Sequence, residues 1–147
     1  MKKNHAEEEH QVWQRVLAQP GEPPRNDLRQ LQQEIMELVG IYRQLLASAA
    51  PGHREGLKAL LEGEQANVAC LKGLAVLSGE SREVLKVWNP AKGSRQKLLE
   101  TCYHKTRRCM IDCMALSPEP EYGVVFRQMA DREALHCCRI AQLLGSL

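Results

Sequence analysis

Aromatic residues are scarce in this 147-residue chain, at 4%, with one Phe, two Trp and three Tyr. A core without them must be filled by Leu, Ile, Val, Met, Ala and Cys, a mixture that suits helices better than a β-sandwich. No Cys-x-x-Cys pair occurs among the six cysteines, which excludes a rubredoxin-type or zinc-ribbon module. Charge of one sign is not in excess either. With a formal net charge of +2 the chain lacks the concentrated basic stripe of a dedicated nucleic-acid binder. No run approaches 18 consecutive apolar residues, so no membrane span is expected. Met1-Lys2-Lys3-Asn4-His5 has no apolar stretch behind it and does not read as a secretory signal. These absences predict a cytoplasmic protein whose thiols stay reduced and pack as small hydrophobes.

The length suits one domain. Residues 1–26 read as a preamble, with a short helix over about Ala6–Ala18 followed by Pro20, Gly21, Pro23 and Pro24. Residues 27–147 hold four helical stretches. The first runs from about Asp27 to Ala49, with Asp27 and Gln30 at capping-box spacing and Pro51-Gly52 as its stop. The second runs from about His53 to Ser78, and the third from about Ser94, a candidate N-cap, to Leu116. Ser117-Pro118-Glu119-Pro120 then resets the chain, and the fourth helix continues to about Leu144. Short turns join helices one to two and three to four. Glu80–Gly93, with Trp88-Asn89-Pro90, is a long connection that can cross from one end of a bundle to the other. The pattern predicts an all-α fold: a four-helix bundle of two antiparallel hairpins joined by one crossover.

Two helices carry an apolar stripe broken at its centre. In the second, Leu57, Leu60, Glu64, Asn67, Leu71 and Leu74 share one face. In the fourth, Tyr122, Phe126, Met129, Glu133, His136, Ile140 and Leu143 do the same. No Lys or Arg shares either stripe, so each carboxylate needs a cation, a proton or a hydrogen-bond donor. The halves also align without a gap, Pro51–Asn67 on Pro120–His136. Leu57 then matches Phe126, Leu60 matches Met129, Glu64 matches Glu133, and Asn67 stands where the other half has His136.

Each first helix of a hairpin adds a glutamate, Glu34 or Glu100, at about the height of its partner, counting a rise of about 1.5 Å per residue from the turns. Four glutamates at one level would repel one another, and two metal ions with imidazole ligands are the usual remedy. A glutamate on each of two helices with Glu-x-x-His on each of the others is the carboxylate di-metal pattern of ferritin-like bundles. Over about Asp27–Leu144 the chain resembles that superfamily. Within it the chain is most similar to compact rubrerythrin-like domains, through Glu64-Gln65-Ala66-Asn67 leading into Leu71-Lys72-Gly73, and Tyr42 resembles a tyrosine often found on the first helix.

The resemblance implies a metal site of Glu34, Glu64, Asn67, Glu100, Glu133 and His136 holding two iron ions, or manganese. It also implies redox chemistry with peroxide or dioxygen and, without a rubredoxin module, an external electron donor; a homodimer is compatible with it. The departure is Asn67, whose neutral carbonyl is a poorer ligand than imidazole. Two outcomes stay open: a site that binds at least one metal, with a second position weak or lost, and a metal-free bundle serving as an interaction or structural protein. Arg107 is a candidate counter-charge for the second, and His104 a candidate extra ligand for the first. Cys102, Cys109 and Cys113 share a face of helix three with Leu98 and Leu116 and read as core packing.

Overall fold

In the computed structural model the described residues are 28–78 and 90–147; the preamble, the capping box at Asp27 and most of the crossover lie outside them. Four helices follow: α1 (Leu28–Ala47), α2 (Pro51–Ser78), α3 (Arg95–Leu116) and α4 (Gly123–Gly145). Pro51 does not merely stop α1; it is the first residue of α2. A proline in the first turn loses nothing, because the N–H it lacks would have no intrahelical partner there. Ser94 caps α3 as its sequence suggests, its Oγ accepting the Lys97 N–H at 3.2 Å. At the start of α4 the Glu119 carboxylate accepts the backbone N–H of Glu121 at 2.9 Å and that of Tyr122.

The α3–α4 turn is tighter than its length requires. Gly123 is buried, and a Cβ on it would sit 2.1 Å from the Ser117 carbonyl oxygen. That oxygen is backbone and cannot step aside without opening the turn. Gly123→Ala should therefore cost about 2–3 kcal/mol, as overpacked sites do. A urea-unfolding midpoint unchanged from the parent protein would contradict this close approach.

Helix α1 packs against α2 and α3, and α4 packs against α3 and α2; the diagonal pairs do not pack on each other. Side-chain pairs fix the directions. Along α1 and α3, Arg95 donates to the Ser48 carbonyl, Lys105 pairs with Glu37 at 2.8 Å, and the Cys109 thiol points at Glu34. Numbers fall on one helix as they rise on the other, so these two are antiparallel. Along α2 and α4, His53 meets Ser146 and Asn67 meets Glu133, again antiparallel. The end of α2 and the start of α3 therefore lie at opposite ends of the bundle. Residues 79–94 can reach that far, since extended chain spans up to about 3.5 Å per residue and a helix of α3's length runs roughly 33 Å. Gln44 ties the end of this connection to α1: its carboxamide donates to the Ala91 carbonyl at 2.8 Å and accepts the Ala91 N–H at 3.1 Å.

The core follows the composition. Ile35, Leu38 and Tyr42 of α1 share one buried cluster with Leu60 and Leu71 of α2, Leu99 of α3, and Met129 and Ile140 of α4. Cys102, Cys109 and Cys113 are fully buried among them, and all six cysteines are free thiols. None of the helices described is long and apolar enough to cross a membrane.

Candidate metal centre

The broken stripes of α2 and α4 face each other. Leu57, Leu60, Leu71 and Leu74 on one, and Phe126, Met129, Ile140 and Leu143 on the other, are all buried. Spacings of three and four residues hold Glu64, Asn67, Glu133 and His136 on the same buried lines, so none of the four can turn to water. Glu64, Asn67 and Glu133 are wholly inaccessible and His136 is 3% exposed.

Within this group the pairing is crossed. His136 Nδ1 lies 2.8 Å from Glu64 Oε1, and Asn67 Nδ2 donates to Glu133 Oε1. Each polar residue at the second position of one helix thus holds the glutamate of the other. Arg132 completes the Asn67 side, its Nη1 donating to Asn67 Oδ1 at 2.5 Å. Because the guanidinium can only donate, it fixes the carboxamide with its oxygen toward Arg132 and its nitrogen toward Glu133.

Burial dominates the protonation of the cluster. It lifts Glu64 to about 7, against the pull of hydrogen bonds from Glu133 and Asn67 and the charge of Arg132. Glu133 is likewise raised well above the ordinary carboxylate range, first by burial and then by the negative charge of Glu64. Burial pushes His136 down, so its contact with Glu64 is a hydrogen bond of neutral imidazole rather than an ion pair. The metal-free cluster therefore holds one proton between its two carboxyls. No N–H or O–H of another residue reaches Glu64 Oε2 or Glu133 Oε2; what each carboxyl has left is the other.

A divalent cation suits this arrangement. One donor atom each from Glu64, Glu133 and His136 lies within 4.8 Å of the others. Ligand atoms bound at about 2.0–2.2 Å stand about 3–4 Å apart, so small side-chain shifts would close the shell. Displacing the shared proton would leave two carboxylate charges against the ion's two. The Oε2 atoms without a donor are the lone pairs such an ion would use.

The other residues expected at the site are elsewhere. Glu100 is exposed and accepts from Gln96 at 3.2 Å. The inward stripe of α3 is Leu99, Cys102, Thr106, Cys109 and Cys113, and Glu100 stands about 100° round the helix from Leu99. Glu34 is half-buried on the flank of the α1 stripe, where Cys109 points its thiol at Oε2 from 3.8 Å. Equal heights had suggested convergence, but height along a helix says nothing about angle around it. Instead α1 and α3 turn a phenol, a hydroxyl and thiols toward the carboxyl pair. Tyr42 Oη lies 3.4 Å from Thr106 Oγ1, and burial first, then the Glu64 charge, lifts the Cys102 thiol to about 12. Such a thiol is inert as a nucleophile at neutral pH.

Neither Arg107 nor His104 joins the cluster. Both are exposed, and the His104 ring rests edge-on to Tyr103 at 5.8 Å. The counter-charge is Arg132, which the sequence reading did not single out. One signal could have found it: in the internal alignment Arg132 stands opposite Gly63. Gly63 itself is part of the site, because a Cβ there would lie 2.2 Å from His136 Nε2. No protein-family model, curated protein or solved structure matches this chain.

Proposed function

We propose that this bundle is a ferritin-like metal-binding protein that holds one divalent transition-metal ion between Glu64, Glu133 and His136. The observation that carries the reading is the buried carboxyl pair beside a neutral imidazole, with an oxygen on each carboxyl that no donor outside the pair reaches. Two hairpins joined by one end-to-end connection support the ferritin-like part. Two oxygen donors and one nitrogen suit iron or manganese among the first-row metals. Either ion would supply one-electron chemistry toward dioxygen or peroxide, with electrons from a separate protein. The residues' own contributions are local: Asn67 holds Glu133 by one oxygen, the imidazole holds Glu64, and the apolar stripes keep bulk water out. Six free thiols accord with a reducing cytoplasm.

One observation favours a second reading, a metal-free bundle that serves as an interaction or structural protein. The chain already stabilises its carboxyl pair with a proton, an amide and Arg132. Titration of chelator-stripped protein with Mn(II), or with Fe(II) without oxygen, separates the two. One equivalent is expected, unaffected by Glu100→Gln and weakened at least about 100-fold by Glu64→Gln, since a lost ligand costs no less than the 10–100-fold of a lost outer partner. Two equal equivalents would contradict the one-ion site, and no uptake of either metal would leave the second reading.

A further inference from the structure

The internal alignment that sets Glu64 on Glu133 and Asn67 on His136 also sets Gly63 on Arg132, at the same offset of 69 residues. In the folded bundle these extra partners stand behind the polar residues they face. The His136 ring lies on Gly63, where a Cβ would come within 2.2 Å of Nε2 and 2.5 Å of Cε1. The Asn67 carboxamide lies on Arg132, its Oδ1 taking the guanidinium Nη1. Each half therefore has the same two places, filled in opposite ways. One half has a large ring in front and no side chain behind; the other has a short amide in front and a long cation behind.

We infer that residues 63 and 132 decide, each for its own half, whether the cluster takes an imidazole ligand or a built-in cation, and that Arg132 limits the site to one metal ion. This rests on the one-ion reading above. The reason is first steric. An imidazole reaches further from its helix than a carboxamide, and on the observed half it needs a glycine to lie against. At position 132 more than the mobile guanidinium is in the way, since the Cβ alone would meet a ring placed as His136 is. The second reason is electrostatic. The Arg132 charge acts on Glu64 and reaches Glu133 through Asn67, so this half already holds a fixed positive charge that would repel a second ion. Arg132 is thus a positioning residue, acting on the carboxylates through Asn67.

Two double-variant comparisons test it. In EDTA, Asn67→His alone should lower the thermal midpoint by about 5–10 °C, the effect of a few kcal/mol of overpacking in a domain of this size. Added to Arg132→Gly, the same change should cost little, so the two substitutions are strongly coupled rather than additive. Conversely, Gly63→Arg should be severely destabilising alone and largely rescued by His136→Asn. With Mn(II) alone as probe, the parent should take one equivalent and Asn67→His/Arg132→Gly two. Additive stability effects in both comparisons overturn the inference. So does a parent with one equivalent whose double variant also takes one. A parent that takes no Mn(II) removes the metal-binding reading, and the coupling in EDTA then decides the inference alone.

Discussion

Replacing Glu133 by glutamine is expected to make the metal-free protein more stable at pH 8 while abolishing its metal uptake. Glu133 is raised well above the ordinary carboxylate range by burial and by Glu64 beside it. A carboxyl whose folded value is raised contributes fully below its unfolded value, near 4.3, and loses that contribution as pH climbs through the folded one. His136 works in the opposite sense, since burial lowers it. Its penalty appears only as pH falls below about 6.5, where the unfolded imidazole takes up a proton. Above that pH the carboxyl pair sets most of the slope, and the buried thiols add to it in the same direction near pH 8. Stability should therefore fall as pH rises from 6.5 to 8 in the presence of EDTA, with a slope of at most about 1.4 kcal/mol per pH unit for each proton retained.

Glutamine copies the protonated carboxyl in shape and still offers Asn67 an oxygen to donate to, but it has no proton to lose. The variant should therefore lose less stability over that range in urea melts than the parent, with Glu64, lifted to about 7 by burial, as the carboxyl still titrating there. The parent should flatten once Mn(II) is added, because the bound ion takes the place of the proton. A parent profile that rises from pH 6.5 to 8 in EDTA would mean that the carboxyls are ionised in the folded state. The charge balance drawn for the site would then be wrong.

The parts of this molecule that were legible in its sequence are those that depend on period. Helix spacing gave the α2 and α4 stripes, and the gapless alignment of the halves put Glu64, Asn67, Glu133 and His136 at equivalent places. These are the four residues that meet. The capping serine at Ser94 and the buried thiols of α3 were legible for the same reason, since local chemistry determines them. Glu34 and Glu100 do not join the group of Glu64, Glu133 and His136, because equal height above a turn does not fix the angle at which a side chain leaves its helix. Glu34 stands about 60° from the centre of the buried face of α1, between Leu45 and Ile41, and is itself half-buried. Arg132 and Gly63 were hidden for another reason. A half-exposed arginine and a helical glycine are common on any helix, and only the neighbour across the interface gives each its role. The same lack of a partner helix made Arg107, which is exposed, the candidate counter-charge.

His136→Ala should be among the most damaging single changes in the cluster, and free imidazole should repair it. The substitution removes the Nδ1 contact to Glu64 Oε1 and leaves a wholly buried carboxyl with a second oxygen lacking a donor. Breaking a buried polar pair in this way costs about 3–5 kcal/mol when the remaining partner is charged, and less when it can take up a proton. The loss should therefore be greater at pH 8 than at pH 6, across the value of about 7 to which burial lifts Glu64. Metal uptake should fall by at least about 100-fold, because one of three ligands is gone. The hole left behind has a defined shape: it opens onto Gly63, which contributes no side chain to collapse into it. An imidazole added to the solution matches both the volume removed and the nitrogen that faced Glu64. Thermal midpoint and Mn(II) uptake should recover together as imidazole is raised into the millimolar range. Imidazole should do neither for Glu64→Gln, whose ring is already in place. Recovery of the midpoint without recovery of Mn(II) uptake would assign His136 to packing alone and remove it from the ligand set.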